Sequence, residues 1–263
     1  MSAIEQAREG GWLTIWFNQP DMRNPMTDEM VGETIAALHA VRDDRTVRGV
    51  TLRGRGGVFS AGGNLRQFVD EFQDRDDREA TMRMSRGAAR ILDAVRDTPQ
   101  VTVALVEGAA VAGGLGIVCA CDLVVVERRA VFALSETRLG LTPAQISPFV
   151  VEKLGMQIAR RLMLTAARFG GQDALEMGLA DYIGDTVEEL EAHEQAIRKQ
   201  VMITAPGAVA ALKRLLRELP GKSREAQIEL AAENFTNAML SAEGKEGVAA
   251  FFNKQKPSWA RAD

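Results

Sequence analysis

Cysteine, histidine and tyrosine are scarce in this chain of 263 residues, which has two, two and one of them. Cys119 and Cys121 are one residue apart and cannot form a disulfide framework, so we expect a reducing compartment, the cytoplasm. His39 and His193 lie far apart in predicted helices. This argues against a multi-histidine metal centre and against a Ser-His-Asp triad, and we expect no metal.

The chain also lacks a large excess of either charge, with 36 acidic and 32 basic residues and a net charge of −4. We therefore expect no nucleic-acid partner and no binding to an anionic membrane. Residues 1–10 lack the apolar run of a signal peptide. Residues 101–121 are mostly apolar and carry a single charge, Glu107, but four glycines interrupt them, so we expect buried elements of a soluble protein there.

The rest of the sequence predicts one large β/α body with a helical appendage. Thr27 is expected to cap a helix with apolar positions at helical spacing, and Thr142 with Pro143 predicts another helix start. Strands are predicted at residues 12–18, 49–52, 101–106, 123–126 and 130–133, and helices at 64–97, 112–120 and 172–177. After Thr186 the sequence is almost entirely amphipathic helix, with breaks expected at 205–206, 220–221 and Gly244. The predicted domains are therefore residues 1–185, the β/α core, and 186–263, a helical oligomerisation region.

Two glycine-rich segments each leave a predicted strand and enter a predicted helix. They read FSAGGNL over residues 59–65 and GAAVAGGLG over residues 108–116. Glycine permits close approach of the backbone, and a helix start presents free N–H donors at a positive dipole end. Such turns can bind anions, although each alone can equally be a tight turn that is packed for steric reasons. Neither matches the patterns of a P-loop or of a dinucleotide-binding turn.

Together with flanking motifs, these turns resemble the crotonase superfamily of enoyl-CoA hydratases and isomerases. The family's FSAG segment and its VxGxAxGGG…CD segment are matched in order, as is an FxxPExxLGxxP segment. The matching residues here are 59–65, 106–122, 132–143, the early stretch 18–24 and the terminal stretch 251–259. The resemblance covers nearly the whole chain and implies an α/β fold, a crotonase-like ββα spiral core with a C-terminal helical region.

The resemblance also implies how a substrate binds. In this family the thioester carbonyl of an acyl-CoA lies between two backbone N–H groups, which correspond to Gly63 and Gly113. The carbonyl of Ala61 is expected to meet the CoA adenine. Coenzyme A is then part of the substrate, and no separate cofactor is expected.

The same resemblance makes three further residues candidates for CoA binding. Arg23 and Lys254 are candidates for the CoA phosphates, and Phe251 for packing nearby; the alternative is a solvated arginine and an ordinary tail helix. In the family the C-terminal region forms trimers, often paired into hexamers. The resemblance therefore implies a homotrimer or homohexamer in which a neighbouring subunit can supply Phe251 and Lys254.

The carboxylates distinguish this chain from hydratases with two catalytic glutamates. Glu136 matches the second glutamate of such enzymes, but Gly116 stands where the first would be. Asn64 also replaces a common aspartate. Burial is expected to raise the pKa of Glu136, which suits proton exchange near neutral pH. One carboxylate can activate water for hydration or shuttle a proton between carbons, so enoyl-CoA isomerase stays open as an alternative.

A narrower resemblance suggests the acyl chain. Residues 135–150 and 159–169 look like those of hydratases for branched glutaconyl-CoA substrates, namely methylglutaconyl-CoA in leucine breakdown and isohexenylglutaconyl-CoA in acyclic terpene breakdown. The distal carboxylate of such substrates needs a cation, and Arg138 is a candidate, although a surface salt bridge is its plain alternative. A non-catalytic acyl-CoA-binding member is the remaining alternative. The acyl pocket is expected to involve residues 67–84.

Overall fold

The computed structural model of the chain describes residues 2–63 and 78–260. Its strands in chain order are β1 Ile4–Glu9, β2 Trp12–Phe17, β3 Pro25–Met26, β4 Gly49–Gly54, β5 Gly62–Gly63, β6 Val101–Val106, β7 Ala109–Val111, β8 Leu123–Glu127, β9 Val131–Ala133, β10 Arg168–Gly170 and β11 Tyr182–Gly184. Six of them form the main sheet in the order β1-β2-β4-β6-β8-β11. β1 is antiparallel to β2, and the other neighbours in this sheet are parallel.

Helices cover both faces of the main sheet. In chain order they are α1 Asp28–Val41, α2 Arg78–Arg96, α3 Gly113–Ala120, α4 Ser147–Thr165, α5 Gly171–Glu176, α6 Val187–Met202, α7 Pro206–Glu218, α8 Arg224–Leu240 and α9 Ala242–Phe252. Among the described residues, every helix is too short or too polar to span a lipid bilayer.

Strand β6 shows how the sequence serves two cores at once. Its successive side chains point to opposite faces of the sheet, so Ala104 and Val106 join the core beneath helices α1 to α4. Val103 and Leu105 instead pack against α6 on the other face. A strand buried on both sides therefore reads as a continuous apolar run, which is why the sequence predicts it well.

Helix α6 covers the second face of the sheet, although it belongs by sequence to the helical region predicted for residues 186–263. Leu190 and Ile197 belong to the same buried cluster as Trp12, and the buried Glu194 accepts hydrogen bonds from Thr51 and Arg198. The helices that pack mainly on one another, outside the main sheet, are therefore α7, α8 and α9.

Two small sheets carry the chain beyond the ends of the main strands. β7 pairs parallel with β9, and β9 pairs antiparallel with β10. β3 pairs parallel with β5. Because β4 and β6 are parallel neighbours, the loops that follow them leave the sheet at the same end, where these small sheets form.

The helical appendage docks at the opposite end of the main sheet. Lys213 of α7 pairs with Asp122, which directly precedes β8, and donates to the carbonyl of Gln100, which directly precedes β6. Arg48, which precedes β4, donates to the carbonyls of Thr204 and Trp259. These are all N-terminal strand ends, whereas the glycine turns follow the C-terminal ends.

Some predicted boundaries were wrong, for local reasons. The helix expected at Thr142 begins at Ser147, because residues 143–146 form a turn in which the Pro143 carbonyl accepts from Ser147 N at 2.9 Å and Oγ at 2.6 Å. The break expected at Gly244 is at Ser241, whose hydroxyl caps α9 by accepting from Gly244 N at 2.9 Å. Helix α2 confirms the second half of the helix predicted at 64–97; residues 64–77 lie outside the described residues.

Candidate active site

The two glycine-rich turns lie side by side, as parallel extensions of β4 and β6. Phe59 N donates to Glu107 O at 3.0 Å, and Ser60 N to Ala109 O at 3.0 Å. Val111 N returns a bond to Ser60 O at 3.0 Å. Two segments that are about 50 residues apart in sequence are thus held together by their main chains.

The contact between the turns requires glycine at two positions. A Cβ on Gly62, whose φ is +89°, would lie 2.7 Å from Val111 O and 2.9 Å from Ala112 Cβ. A Cβ on Gly114 would lie 2.8 Å from Ser60 Cβ. Both glycines are therefore needed for steric packing, as the alternative explanation holds. The same packing brings their chain neighbours, Gly63 and Gly113, close to each other.

Gly113 begins α3, so its N–H is one of the first-turn amides without an intrahelical acceptor. The preceding residue, Ala112, has a φ of 50° and a ψ of −122°, an unusual conformation for alanine. Ala112 N is held by Ala133 O at 2.8 Å, at the end of β9. The positive end of α3 and its free amides can thus stabilise negative charge on a ligand oxygen at this point.

Glu136 follows β9 by three residues, on a short 3₁₀ turn that spans Glu136–Leu139. Its side chain is half-buried, and its Oε2 atom is buried without a hydrogen-bond partner. Burial raises the pKa of this carboxyl above its usual range, although the backbone N–H of Glu136 works against the shift. Ala133 also accepts from Ala112, the residue before Gly113, so the segment that leads to Glu136 is held against the second glycine turn. A carboxyl with one oxygen buried without a hydrogen-bond partner, and with a raised pKa, is suited to proton transfer.

The position of the missing glutamate is filled by apolar side chains. A Cβ on Gly116 would collide with Ile146 Cγ2, and it would lie 3.0 Å from Ile146 Cβ and 3.3 Å from Leu92 Cδ2. Ile146 reaches this place from the turn before α4. The site therefore has no room for a second carboxylate at this position without rearrangement of Ile146.

Arg23 and Ala61, the expected CoA contacts, are joined by their main chains. Ala61 N donates to Arg23 O at 2.9 Å, and the Arg23 side chain is exposed. Arg23 has a φ of 63°, at the end of a short 3₁₀ turn. The structure therefore brings these two residues together at the first glycine turn.

Asn24 anchors this corner, a role that sequence reasoning did not assign. Its side chain is almost fully buried, accepts from Gln19 N at 2.8 Å, and donates to Arg55 O at 2.9 Å and Val58 O at 2.6 Å. Asparagine followed by proline after a strand indicates a turn, but only the fold shows that its amide bridges two loops.

Arg138 is two residues beyond Glu136, on the same 3₁₀ turn, with an exposed side chain. Its Nη2 donates to the carbonyl of Ala166 at 2.8 Å. This contact joins the turn that carries Glu136 to the end of α4. Its role toward a substrate carboxylate stays a prediction.

Phe251 and Lys254 are not brought to the glycine turns by their own chain. Phe251, near the end of α9, is 79% exposed, and Lys254 is exposed just after that helix. The appendage that carries them docks at the other end of the main sheet, through Arg48 and Asp122. Asn64 and much of the segment expected to set pocket depth lie outside the described residues.

Comparison with known proteins agrees with this geometry. The family model described as enoyl-CoA hydratase/isomerase matches residues 7–262. The enoyl-CoA hydratase EchA19 of Mycobacterium tuberculosis is 31% identical, over 96% of this chain and 94% of its own. The structure of Pseudomonas aeruginosa AtuE superposes with a TM-score of 0.94 at 41% identity, over 98% of this chain and 100% of that one.

A second solved structure, an enoyl-CoA hydratase/isomerase from Marinobacter aquaeolei, superposes with a TM-score of 0.93 at 32% identity, over 99% of this chain and all of that one. The predicted crotonase-like α/β fold is confirmed. The sequence match spans both glycine turns, Glu136 and the helical appendage, so it covers the whole candidate site. The chain belongs to the enoyl-CoA hydratase/isomerase family.

Proposed function

We propose that this chain hydrates the 2,3 double bond of an enoyl-CoA, with Glu136 as its single catalytic carboxylate. The observation that carries the proposal is the buried, unpartnered Oε2 of Glu136, on a segment that Ala133 ties to the glycine turn before the helix start at Gly113. In this proposal the thioester oxygen accepts from the N–H groups of Gly63 and Gly113. Loss of one such donor costs ~10²–10³ in rate, so these amides provide a large part of the catalysis.

The proposed reaction needs only one carboxyl group. Glu136 takes a proton from water as the water oxygen bonds to C3, and the π electrons move through C2 onto the thioester oxygen. The enolate then collapses as C2 takes a proton, either from Glu136 directly or through a second water. The enzyme returns to its starting state, and the net change is addition of one water molecule.

For the substrate we propose a branched glutaconyl-CoA, either methylglutaconyl-CoA or isohexenylglutaconyl-CoA. The support is the resemblance of residues 135–150 and 159–169 to hydratases of these substrates. Arg138 supplies the cation for the distal carboxylate in this proposal. Its guanidinium lies on the same turn as Glu136 and uses one N–H on a backbone carbonyl, which leaves further donors for a ligand.

We also propose that the active unit is a homotrimer or homohexamer in the cytoplasm. Large apolar side chains on the helical appendage are exposed in the single chain; they include Leu212, Leu216, Ile228, Phe235, Met239, Leu240, Val248, Phe251 and Phe252. Many large apolar side chains exposed on one region of a chain favour association. A neighbouring subunit then supplies Phe251 and Lys254 to the CoA site of Arg23 and Ala61. The two free, buried cysteines support the reducing compartment.

The test is a hydration assay with methylglutaconyl-CoA, isohexenylglutaconyl-CoA and crotonyl-CoA. The loss of the enoyl-thioester absorbance measures the rate. We expect kcat/KM to be highest on a glutaconyl substrate. Equal rates on all three would support hydration but overturn the substrate assignment. Conversion of a 3-enoyl-CoA to the 2-enoyl isomer without hydration would support an isomerase, and tight binding without turnover a non-catalytic member.

A further inference from the structure

Met26 is in contact with both glycine turns. As part of β3, it lies opposite Gly63 in the parallel pair with β5. Its side chain lies against Gly113, where a Cβ would collide with Met26 Sδ and lie 3.4 Å from its methyl carbon. The side chain is half-buried and packs against the main core. A single residue thus bridges the two amides that face the proposed thioester oxygen.

The two amides need such a bridge because they belong to different segments of the chain. A two-donor site stabilises charge only if both N–H groups are held in position before the reaction. Gly113 has no side chain with which to anchor itself. The bond from Ala112 N to Ala133 O fixes its chain on one side, and the Met26 thioether packs on the other.

We propose that Met26 is a positioning residue for the oxyanion site, holding Gly63 through its main chain and Gly113 through its thioether. This inference rests on the proposed function, in which both amides bind the thioester oxygen. A methionine suits the role, because its unbranched, polarisable side chain fills the irregular gap over a bare helix start.

The first experiment compares Met26→Ala, Met26→Leu and a control, Met177→Ala. Met177 is also half-buried and packs against the same core, but it lies at the end of α5. We expect Met26→Ala to lower kcat about tenfold with little change in KM, since it loosens contacts made in the transition state. Met26→Leu, which conserves volume, should restore most of that loss. The proposal is overturned if Met26→Ala costs no more kcat than Met177→Ala.

A second measurement reads the oxyanion site without turnover. The carbonyl stretch of butyryl-CoA labelled with ¹³C at C1 shifts to lower frequency when the N–H groups polarise it. Bound to Met26→Ala, this band should move back toward its frequency in water, whereas Met177→Ala should leave it at the wild-type value. An unshifted wild-type band would count against the proposed oxyanion site. A shifted band in a wild type that does not hydrate would instead leave the Met26 proposal intact and overturn only the hydratase.

A double variant keeps the test decisive if Met26→Ala folds poorly. Gly113 lies in a helix, so alanine meets no conflict with its backbone there and collides only with Met26. Gly113→Ala should therefore lose activity, and Met26→Ala in the same chain should recover part of it by removing the thioether. If the two losses multiply instead, Met26 does not hold Gly113.

Discussion

The partial burial of the Glu136 carboxyl, with no hydrogen-bond partner for its Oε2, sets the chemical character of this residue. The carboxyl is held on a short 3₁₀ turn with Oε2 away from solvent, and burial raises its pKa. Arginine side chains are plentiful in this chain, yet the structure gives Glu136 no hydrogen-bonded cation among the described residues. Its raised pKa is therefore the product of the tertiary environment, and it allows the group both to take and to return a proton.

Glu136→Gln should fold and bind CoA thioesters but lose most turnover. The amide has nearly the same shape and cannot accept the proton of water, so we expect kcat to fall ~10²–10⁴-fold. Steady-state kinetics and butyryl-CoA binding by calorimetry are the measurements. A variant that keeps more than a tenth of the wild-type kcat would show that another group is the base.

The same substitution should stabilise the protein at neutral pH. The folded state holds the proton of Glu136 more tightly than the unfolded chain does, because the pKa is raised on folding. Wild-type stability is therefore lost as pH rises from the unfolded pKa through the folded one. Glu136→Gln removes this loss, so its Tm should exceed that of wild type at neutral pH, and the gap should close in acid. A constant gap across pH would contradict the raised pKa.

A substitution of Arg138 can distinguish general enoyl-CoA hydration from the proposed preference for a branched glutaconyl-CoA. If it binds the distal carboxylate of a glutaconyl substrate, Arg138→Leu removes a charge-assisted contact of roughly 1.5–3 kcal/mol. This corresponds to about ten- to a hundred-fold in kcat/KM. Crotonyl-CoA has no distal carboxylate and should lose little, so the ratio of the two substrates cancels general damage to the turn. Equal losses would mean that Arg138 serves only its bond to Ala166.

At the scale of elements, the first turn of α3 is enclosed by three other segments. Gly113 contacts Met26 of β3, Gly114 contacts Ser60, and Gly116 contacts Ile146 from the turn before α4. The short helix therefore owes its position to side chains that reach the space left by its glycines. Helix α4 begins at Ser147 and not at Thr142 as predicted, and Ile146 therefore lies in the turn before the helix, where it reaches Gly116.

Gly116→Ala should destabilise the protein through a collision with Ile146. Overpacking of this kind costs about 1–3 kcal/mol and should be visible as a lower Tm. Ile146→Ala alone should also lower Tm, by leaving a cavity. The double variant should be more stable than the sum of the two losses predicts, because the new methyl occupies the vacated space. Additive losses would show that Ile146 does not fill the place of the absent glutamate.

At the scale of the whole molecule, the candidate active site and the contacts with the helical appendage lie at opposite ends of the main sheet. The C-terminal strand ends lead to the glycine turns and Glu136, while the N-terminal ends hold the appendage through Arg48 and Asp122. The exposed apolar surface of the appendage is thus remote from the site of its own chain. This arrangement supports an assembly in which one subunit completes the CoA site of another.

Phe235→Glu should break that assembly. Phe235 is 67% exposed on α8, and a charge there would be buried without a partner if the appendage associates. Light scattering after gel filtration should show a monomer, with a raised KM for CoA substrates. Leu164→Glu, which changes a residue 71% exposed on α4, is the matched control and should leave the assembly intact. An unchanged mass for Phe235→Glu would place the interface elsewhere.

The local sequence determined the elements whose signals are local. A run such as residues 101–106 is buried on both faces and predicts its own strand, and Thr27 caps α1 through Met30 N at 3.1 Å, as expected. The glycine motifs and Glu136 were also visible as patterns of fixed spacing. Strand β1 was not, since it is an exposed edge whose residues, mostly charged or polar, pair only through the backbone with β2.

The tertiary structure alone decided what lies between those patterns. Three of these features are contacts between segments that are distant in the chain. Ile146 occupies the space beside Gly116, Met26 contacts both glycine turns, and α6 covers the second face of the sheet. No periodicity encodes such contacts, because they depend on which loops leave the sheet at the same end. The sequence could therefore name the candidate carboxyl, Glu136, whereas only the packing shows why Gly116 has no room for a second one and what contacts Gly63 and Gly113.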